Sequence, residues 1–187
     1  MFDILLRICW LVFVIFWIST SMGVKKNIEE NNRQSLFSSW LIITTATVIF
    51  IFNITPLRYF FYYPILPPTF FIQTIGIIIC ASGIAFSIWA RVHLGKNWGM
   101  PMAMKENPDL VVTGPYYFIR HPIYTGILIA MFGSIVAAGF LWLIWFTLFF
   151  VSFIYSAKKE EKQMLLQFSA EYRDYMKRTK MFIPFIY

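Results

Sequence analysis

Four stretches of this chain are too apolar and too long to form the core of a soluble fold. They cover residues 4–22, 36–54, 70–90 and 123–155. A helix crosses a bilayer with about 20 consecutive apolar residues. A soluble domain has no use for so much apolar surface: 59% of the 187 residues are hydrophobic, 13% are charged and the mean hydropathy is +0.65. The chain is therefore read as an all-α integral membrane protein. No basic segment precedes the first run, which is expected to be a retained span rather than a signal peptide.

The fourth run holds 33 residues, too many for one ordinary span and few for two. Ala137-Ala138-Gly139 near its middle predicts a tight hairpin of two short helices, over 123–136 and 140–155. Each half reaches only about 21–24 Å at 1.5 Å per residue, less than a hydrocarbon core of about 30 Å. Tilt, local thinning or continuation beyond the apolar run must cover the difference. Charge supports the hairpin. With five spans, residues 23–35, 91–122 and 156–187 share one side and hold three, four and seven of the 16 Lys and Arg. With four spans, the last seven would oppose the other seven. The positive-inside rule then puts the N-terminus outside and the C-terminus in the cytoplasm. It also explains the net charge of +7 without nucleic acid.

Residues 1–90 thus form three N-terminal spans. Residues 91–187 form a second unit: a cytoplasmic loop (91–122), the hairpin (123–155) and a tail (156–187). Pro56, Pro64, Pro67 and Pro68 rule out a continuous helix over 55–69, and the aromatics at 59–63 between them read as an interfacial belt. Gly76, Cys80, Gly83 and Ser87 step by 4, 3, 4, and so do Gly126, Ala130, Gly133 and Ala137. Each set lies on one helix face. Small residues let helices approach closely in lipid, so these two helices are expected to pack together. Cys9 and Cys80 fall inside apolar runs without metal-ligand spacing and read as small buried side chains. No metal site is expected.

The segment Val111-Val-Thr-Gly-Pro-Tyr-Tyr-Phe-Ile-Arg-His-Pro-Ile-Tyr-Thr-Gly126 carries the chemistry. Arg and His are costly beside lipid, yet Arg120 and His121 stand at the mouth of the fourth run. Pro122 suits a first helical turn and biases His121 toward an extended conformation. Arg120 and His121 would then meet the positive end of a helix with free N–H groups, an anion-binding arrangement. Taken singly, Arg120 could be a cytoplasmic anchor, and Tyr116, Tyr117 and Tyr124 interfacial aromatics. Together their spacing points to a site. A second group, Lys158-Lys-Glu-Glu161, lies just past the hairpin. Adjacent Glu160 and Glu161 point about 100° apart on a helix, so at most one is expected to face a given ligand squarely. Pairing with the neighbouring lysines is the plainer alternative. From Leu165 the positions Phe168, Tyr172 and Tyr175 step by 3, 4, 3, predicting a C-terminal amphipathic helix that folds over the loop.

Trp89, Arg91, Leu94, Gly95 and Trp98, then Gly114, Pro115, Tyr116, Arg120, His121, Pro122, Tyr124 and Gly126, then Glu160, Glu161 and Leu165, together resemble the isoprenylcysteine carboxyl methyltransferase family of integral membrane enzymes. The likeness covers just over half the chain, from Trp89 to the C-terminus, and residues 171–175 resemble the family's closing helix. It implies S-adenosylmethionine as cofactor, bound on the cytoplasmic side. It further implies Arg120 and Glu161 as catalytic residues, and Val112, Gly114, Tyr116, His121, Pro122, Tyr124, Glu160 and Leu165 as cofactor-binding residues. Arg120 could hold a carboxylate of the cofactor or of the substrate. There is no glycine-rich dinucleotide loop and no P-loop, so the soluble methyltransferase architecture is absent.

The reading is a five-span membrane methyltransferase acting on a lipophilic substrate that enters from the membrane lipids. The carboxylate of an isoprenylcysteine-like molecule is one candidate acceptor. A sterol-reductase-like enzyme using NADPH, which would need basic residues for a 2′-phosphate, and a non-catalytic assembly factor are the alternatives.

Overall fold

A computed structural model describes residues 1–21, 64–97 and 109–184. The run at 36–54, the aromatic segment at 59–63, Trp98 and residues 99–108 lie outside them. Within the described residues the chain is helical: α1 (Phe2–Ser21), α2 (Phe70–Leu94), α3 (Pro122–Ala138) and α4 (Phe140–Arg178), with 3₁₀ turns at Gly95–Asn97 and Gly114–Tyr117. Three of these, α1, α2 and α4, are long and apolar enough to cross a bilayer, and α3 is a shorter apolar helix. The protein is an integral membrane protein.

Local chemistry sets the helix ends. Pro67 and Pro68 end the preceding segment. Thr69 is extended and its Oγ1 accepts the amide of Ile72 at 3.3 Å, which caps α2. Pro122 opens α3. Gly139, with φ 96°, supplies the tight reversal to α4. The expected hairpin is therefore present. Its second arm runs on past the apolar half, and the expected C-terminal helix follows beyond a kink within the same element. α4 runs through the charged segment for 39 residues and bends at Ser169 (φ 39°, ψ −98°). Residues 140–178 contain no Gly or Pro, and the Lys158–Lys162 stretch favours helix. Residues 140–168 alone make a rod of roughly 40 Å, which covers the length the apolar half lacked.

The two small-residue seams meet. α2 and α3 run antiparallel so closely that a Cβ on Gly76 would stand 2.6 Å from the Ala137 amide nitrogen. One on Gly126 would stand 2.7 Å from the Gly83 carbonyl and from Ser87. Cys80 and Ser87 are fully buried in this contact. α1 packs mainly against α2 and also touches α3 and α4. Trp10 stacks on Trp142 with ring centroids 5.2 Å apart, and its indole N–H donates to Ser134 Oγ at 3.1 Å. Arg91 ties two helix ends together: Nη2 donates to the Thr20 carbonyl at 2.7 Å and Nη1 to the Gly95 carbonyl at 3.0 Å. It satisfies carbonyls that α1 and α2 leave open, a role its place in the sequence did not disclose.

Candidate functional site

The site is built where the loop before α3, the charged part of α4 and the chain end meet. Beyond α4 the chain turns back and lies parallel to the loop, with a bridge between Ile119 and Lys180. The Arg120 amide donates to the Lys180 carbonyl at 2.9 Å and the His121 amide to the Met181 carbonyl at 3.1 Å. Thr125 Oγ1 donates to the Phe182 carbonyl at 2.9 Å. The amides of Arg120 and His121 are thus taken by the returning tail. This corrects the expectation that they would be open to an anion: Pro122 has no N–H, and the tail carbonyls supply the partners upstream of it. His121 is non-helical (φ −124°, ψ 60°), though less extended than expected.

Five side chains converge there. Arg120 Nε donates to Glu161 Oε1 at 2.6 Å, and its Nη1 to the Thr179 carbonyl. His121 Nε2 lies 3.3 Å from Glu161 Oε1 and Nδ1 3.4 Å from Glu160 Oε2. The Tyr124 hydroxyl donates to Glu160. Both glutamates therefore face His121. The imidazole sits between the two directions they take from α4 and presents a nitrogen to each. Both carboxylates turn to the loop and α3 rather than to Lys158, Lys159 or Lys162. The rings of His121 and Tyr124 stack 5.6 Å apart, and Tyr124 stacks on Phe153 at 4.4 Å. Arg120 and Glu161 are only 9% exposed; Glu160 is more open at 25%.

Burial disfavours the His121 cation, but hydrogen bonds and charge from Glu160 and Glu161 outweigh it and raise the pKa above the ordinary value. Burial also works against the Glu161 carboxylate, and His121 and Arg120 more than compensate, so its pKa falls. The other members of the predicted set stand around this cluster. Pro122 is buried as the first residue of α3. Tyr116 is buried, which holds its phenol neutral, and its carbonyl accepts from the Tyr175 hydroxyl. Gly114 has φ 58°, and a Cβ there would stand 2.6 Å from the His93 ring, so only glycine fits. Val112 and Leu165 are half-buried and lie outside the hydrogen-bonded cluster.

Comparison with known proteins follows this geometry. A family model described as phospholipid methyltransferase matches residues 71–171, from α2 through most of α4 and including the whole charged cluster. This chain belongs to the phospholipid methyltransferase family. The protein-S-isoprenylcysteine O-methyltransferase of Xenopus laevis is 29% identical over 154 residues, covering 80% of this chain and 49% of the relative. The solved structure of the eukaryotic intramembrane Ras methyltransferase ICMT (isoprenylcysteine carboxyl methyltransferase) matches with a TM-score of 0.53 at 24% identity, over 85% of this chain and 55% of that one. The chain spans about half the length of the relatives it matches. The resemblance to the isoprenylcysteine carboxyl methyltransferase family, read from the motifs, is supported by these likenesses.

Within this phospholipid methyltransferase family member the tail lies over the loop as expected, but sequence reasoning missed the groups it supplies. Thr179, Lys180, Met181 and Phe182 contribute backbone carbonyls, and Phe182 also sets its ring 5.9 Å from His121. Backbone carbonyls leave no pattern in a sequence. His93 was missed as well. Its Nε2 lies 2.8 Å from Thr113 Oγ1, and its ring stacks beside Tyr116. The signal was the spacing of His93 one residue from the Leu94-Gly95 pair of the motif.

Proposed function

We propose that this chain is a membrane-embedded S-adenosylmethionine-dependent methyltransferase that acts on a lipophilic acceptor, with the carboxylate of an isoprenylcysteine-like molecule as the leading candidate. The observation that carries the reading is the shielded cluster of Arg120, His121, Tyr124, Glu160 and Glu161 at one end of an apolar hairpin. In this reading the chain has five spans, the second formed by residues 36–54. The N-terminus is outside and the cluster faces the cytoplasm. Residues 91–187 are the catalytic unit, and its closing element is the end of α4 with the returning tail.

The donor set fits the cofactor. Two carboxylates suit an ammonium and ribose hydroxyls, the flat rings of His121 and Tyr124 suit an adenine, and Arg120 suits a carboxylate. When bound, S-adenosylmethionine supplies an activated methyl group on a sulfonium. The residues here have little acid–base work to do; their task is to fix the geometry of transfer. Glu160 is the more exposed carboxylate and accepts from the ligand while Tyr124 orients it. Glu161 is held by Arg120 and His121 and presents negative charge toward a cationic ligand. Arg120, with Nε and Nη1 already engaged, has Nη2 left for a carboxylate. Pro122, Gly114, Val112, Tyr116 and Leu165 shape the walls. Burial of the cluster excludes water, which favours reaction of an anionic acceptor with a cation. The reductase and assembly-factor readings gain no support from the family or from either likeness.

The test is transfer itself. Purified protein in detergent or vesicles is given methyl-labelled S-adenosylmethionine with S-farnesyl cysteine or with phosphatidylethanolamine. The expected result is label in S-farnesyl cysteine. Label in the lipid amine alone would keep the methyltransferase and reject the carboxylate. Binding of NADPH without binding of S-adenosylhomocysteine would reject the reading altogether.

A further inference from the structure

Many hydroxyls in the described helices follow one pattern. Thr20, Thr74, Ser82, Ser134, Thr147 and Ser152 each donate to the carbonyl four residues back. This is how a helix satisfies a hydroxyl in apolar surroundings. Ser87 and Ser156 depart from it. Both are fully buried, and neither Oγ has a hydrogen-bond partner among the described residues. Buried polar groups without partners are rare in folded proteins, and each calls for a physical reason.

Ser87 has one in packing. Its nitrogen and Cβ lie where Gly126 presses against α2, with a Cβ on Gly126 placed 2.7 Å from each. No ligand has room there. Ser156 is equally buried, but it stands one turn from the charged cluster rather than in the seam. Phe153, Ser156, Ala157, Glu160 and Glu161 recur at helical spacing on one face of α4. That face presents Phe153 to the Tyr124 ring and Glu160 to the Tyr124 hydroxyl. Ser156 precedes Glu160 by one turn, about 6 Å along the axis, on the apolar side of the charged cluster. A hydrophilic cofactor arrives from the aqueous side. A lipophilic acceptor arrives from the side of Ser156.

We propose that Ser156 binds the methyl acceptor, its hydroxyl donating to the acceptor's reacting carboxylate from beneath Tyr124 and Glu160. This rests on the methyltransferase reading above. It assigns a residue outside the charged cluster to one substrate, and it explains why this serine alone in its helix face carries no internal bond: the bond is made when the acceptor is present.

The test uses the full chain and three variants, Ser156→Ala, Ser156→Thr and Ser87→Ala, with S-farnesyl cysteine as acceptor. Ser156→Ala should raise the KM for S-farnesyl cysteine about tenfold or more, since a hydrogen bond to a charged group is lost. Its affinity for S-adenosylhomocysteine should not change. Its thermal midpoint without ligand should stay level or rise, because the removed hydroxyl was unpaired. Ser156→Thr should restore the KM, and Ser87→Ala should leave both KM and affinity unchanged. An unchanged KM in an active Ser156→Ala protein would overturn the assignment alone, and so would a loss confined to S-adenosylhomocysteine affinity or a fall in unliganded stability. Wild-type protein that neither binds S-adenosylhomocysteine nor transfers methyl would overturn the methyltransferase reading and this assignment with it.

Discussion

Helix α3 has two working sides, and they are built on opposite principles. One side, Gly126, Ala130, Gly133 and Ala137, meets α2 through small residues that let the backbones nearly touch. The other presents His121 and Tyr124 to the glutamates of α4. Tyr124 and Gly126 are two residues apart, hence about 200° apart around the helix. The seam holds position by van der Waals contact, and each residue in it does its work by being small. The cluster holds position by charge, and each group in it depends on the next. A rigid seam behind Tyr124 therefore fixes where the cluster can form, and the cluster is the proposed cofactor site.

The largest effect should come from the seam. Gly126→Leu adds a side chain where even a Cβ would stand 2.7 Å from the Gly83 carbonyl, so α2 and α3 must part. Overpacking of this kind costs about 1–3 kcal/mol and sometimes more. The expected outcome is a sharp loss of folded yield and of thermal midpoint in detergent. An unchanged midpoint would show that the seam is not close-packed.

Next comes Arg120→Lys. It keeps the positive charge but cannot reach Glu161 and the Thr179 carbonyl with one planar fork. Loss of a charged hydrogen bond in a shielded site, about 1.5–3 kcal/mol, corresponds to roughly tenfold to over a hundredfold in methyl transfer. Normal turnover would reduce Arg120 to a membrane anchor.

Protonation of the cluster gives a smaller effect with a definite sign. The pKa of His121 is raised above its ordinary value near 6.5 and that of Glu161 lowered below 4.5. The folded protein holds the His121 proton more tightly than the unfolded chain does. That contribution is complete below pH 6.5 and is lost as pH rises through the raised value. Glu161 contributes above pH 4.5 and loses its contribution as pH falls through the lowered value. Thermal midpoints should therefore be highest between these limits and decline on the alkaline side. In His121→Gln that alkaline decline should be weaker; the same decline in the variant would place its origin elsewhere.

The smallest change is Tyr124→Phe. It removes the hydrogen bond to Glu160 and leaves both ring stacks in place. A cost of about 1 kcal/mol in stability is expected, read as a small shift in midpoint beside a clear drop in cofactor affinity. A stability loss as large as that of Gly126→Leu would mean that the cluster, not the seam, carries the fold.

The two sides were also unequally legible in the sequence. The seam could be read because small residues at a 4, 3, 4 step share one helix face and permit close approach. The hairpin could be read from Gly139, where φ 96° suits little else. Arg120, His121, Tyr124, Glu160 and Glu161 could be chosen as a set because together they resemble motifs of the isoprenylcysteine carboxyl methyltransferase family. Their connections could not be read. That both glutamates reach one imidazole depends on where α3 sits over α4. The partners of Arg120 beyond Glu161 are carbonyls of Thr179 and its neighbours, which any residue could supply. The bend at Ser169 falls at a residue with no helix-breaking chemistry of its own.

The most direct test of the account is S-adenosylhomocysteine binding to wild-type protein and to Glu161→Gln, followed by thermal shift and by calorimetry. The account predicts a clear rise in the wild-type midpoint at saturating ligand and an affinity at least tenfold lower in Glu161→Gln. Equal affinity in the two folded proteins would contradict the claim that this charged cluster is where the cofactor binds.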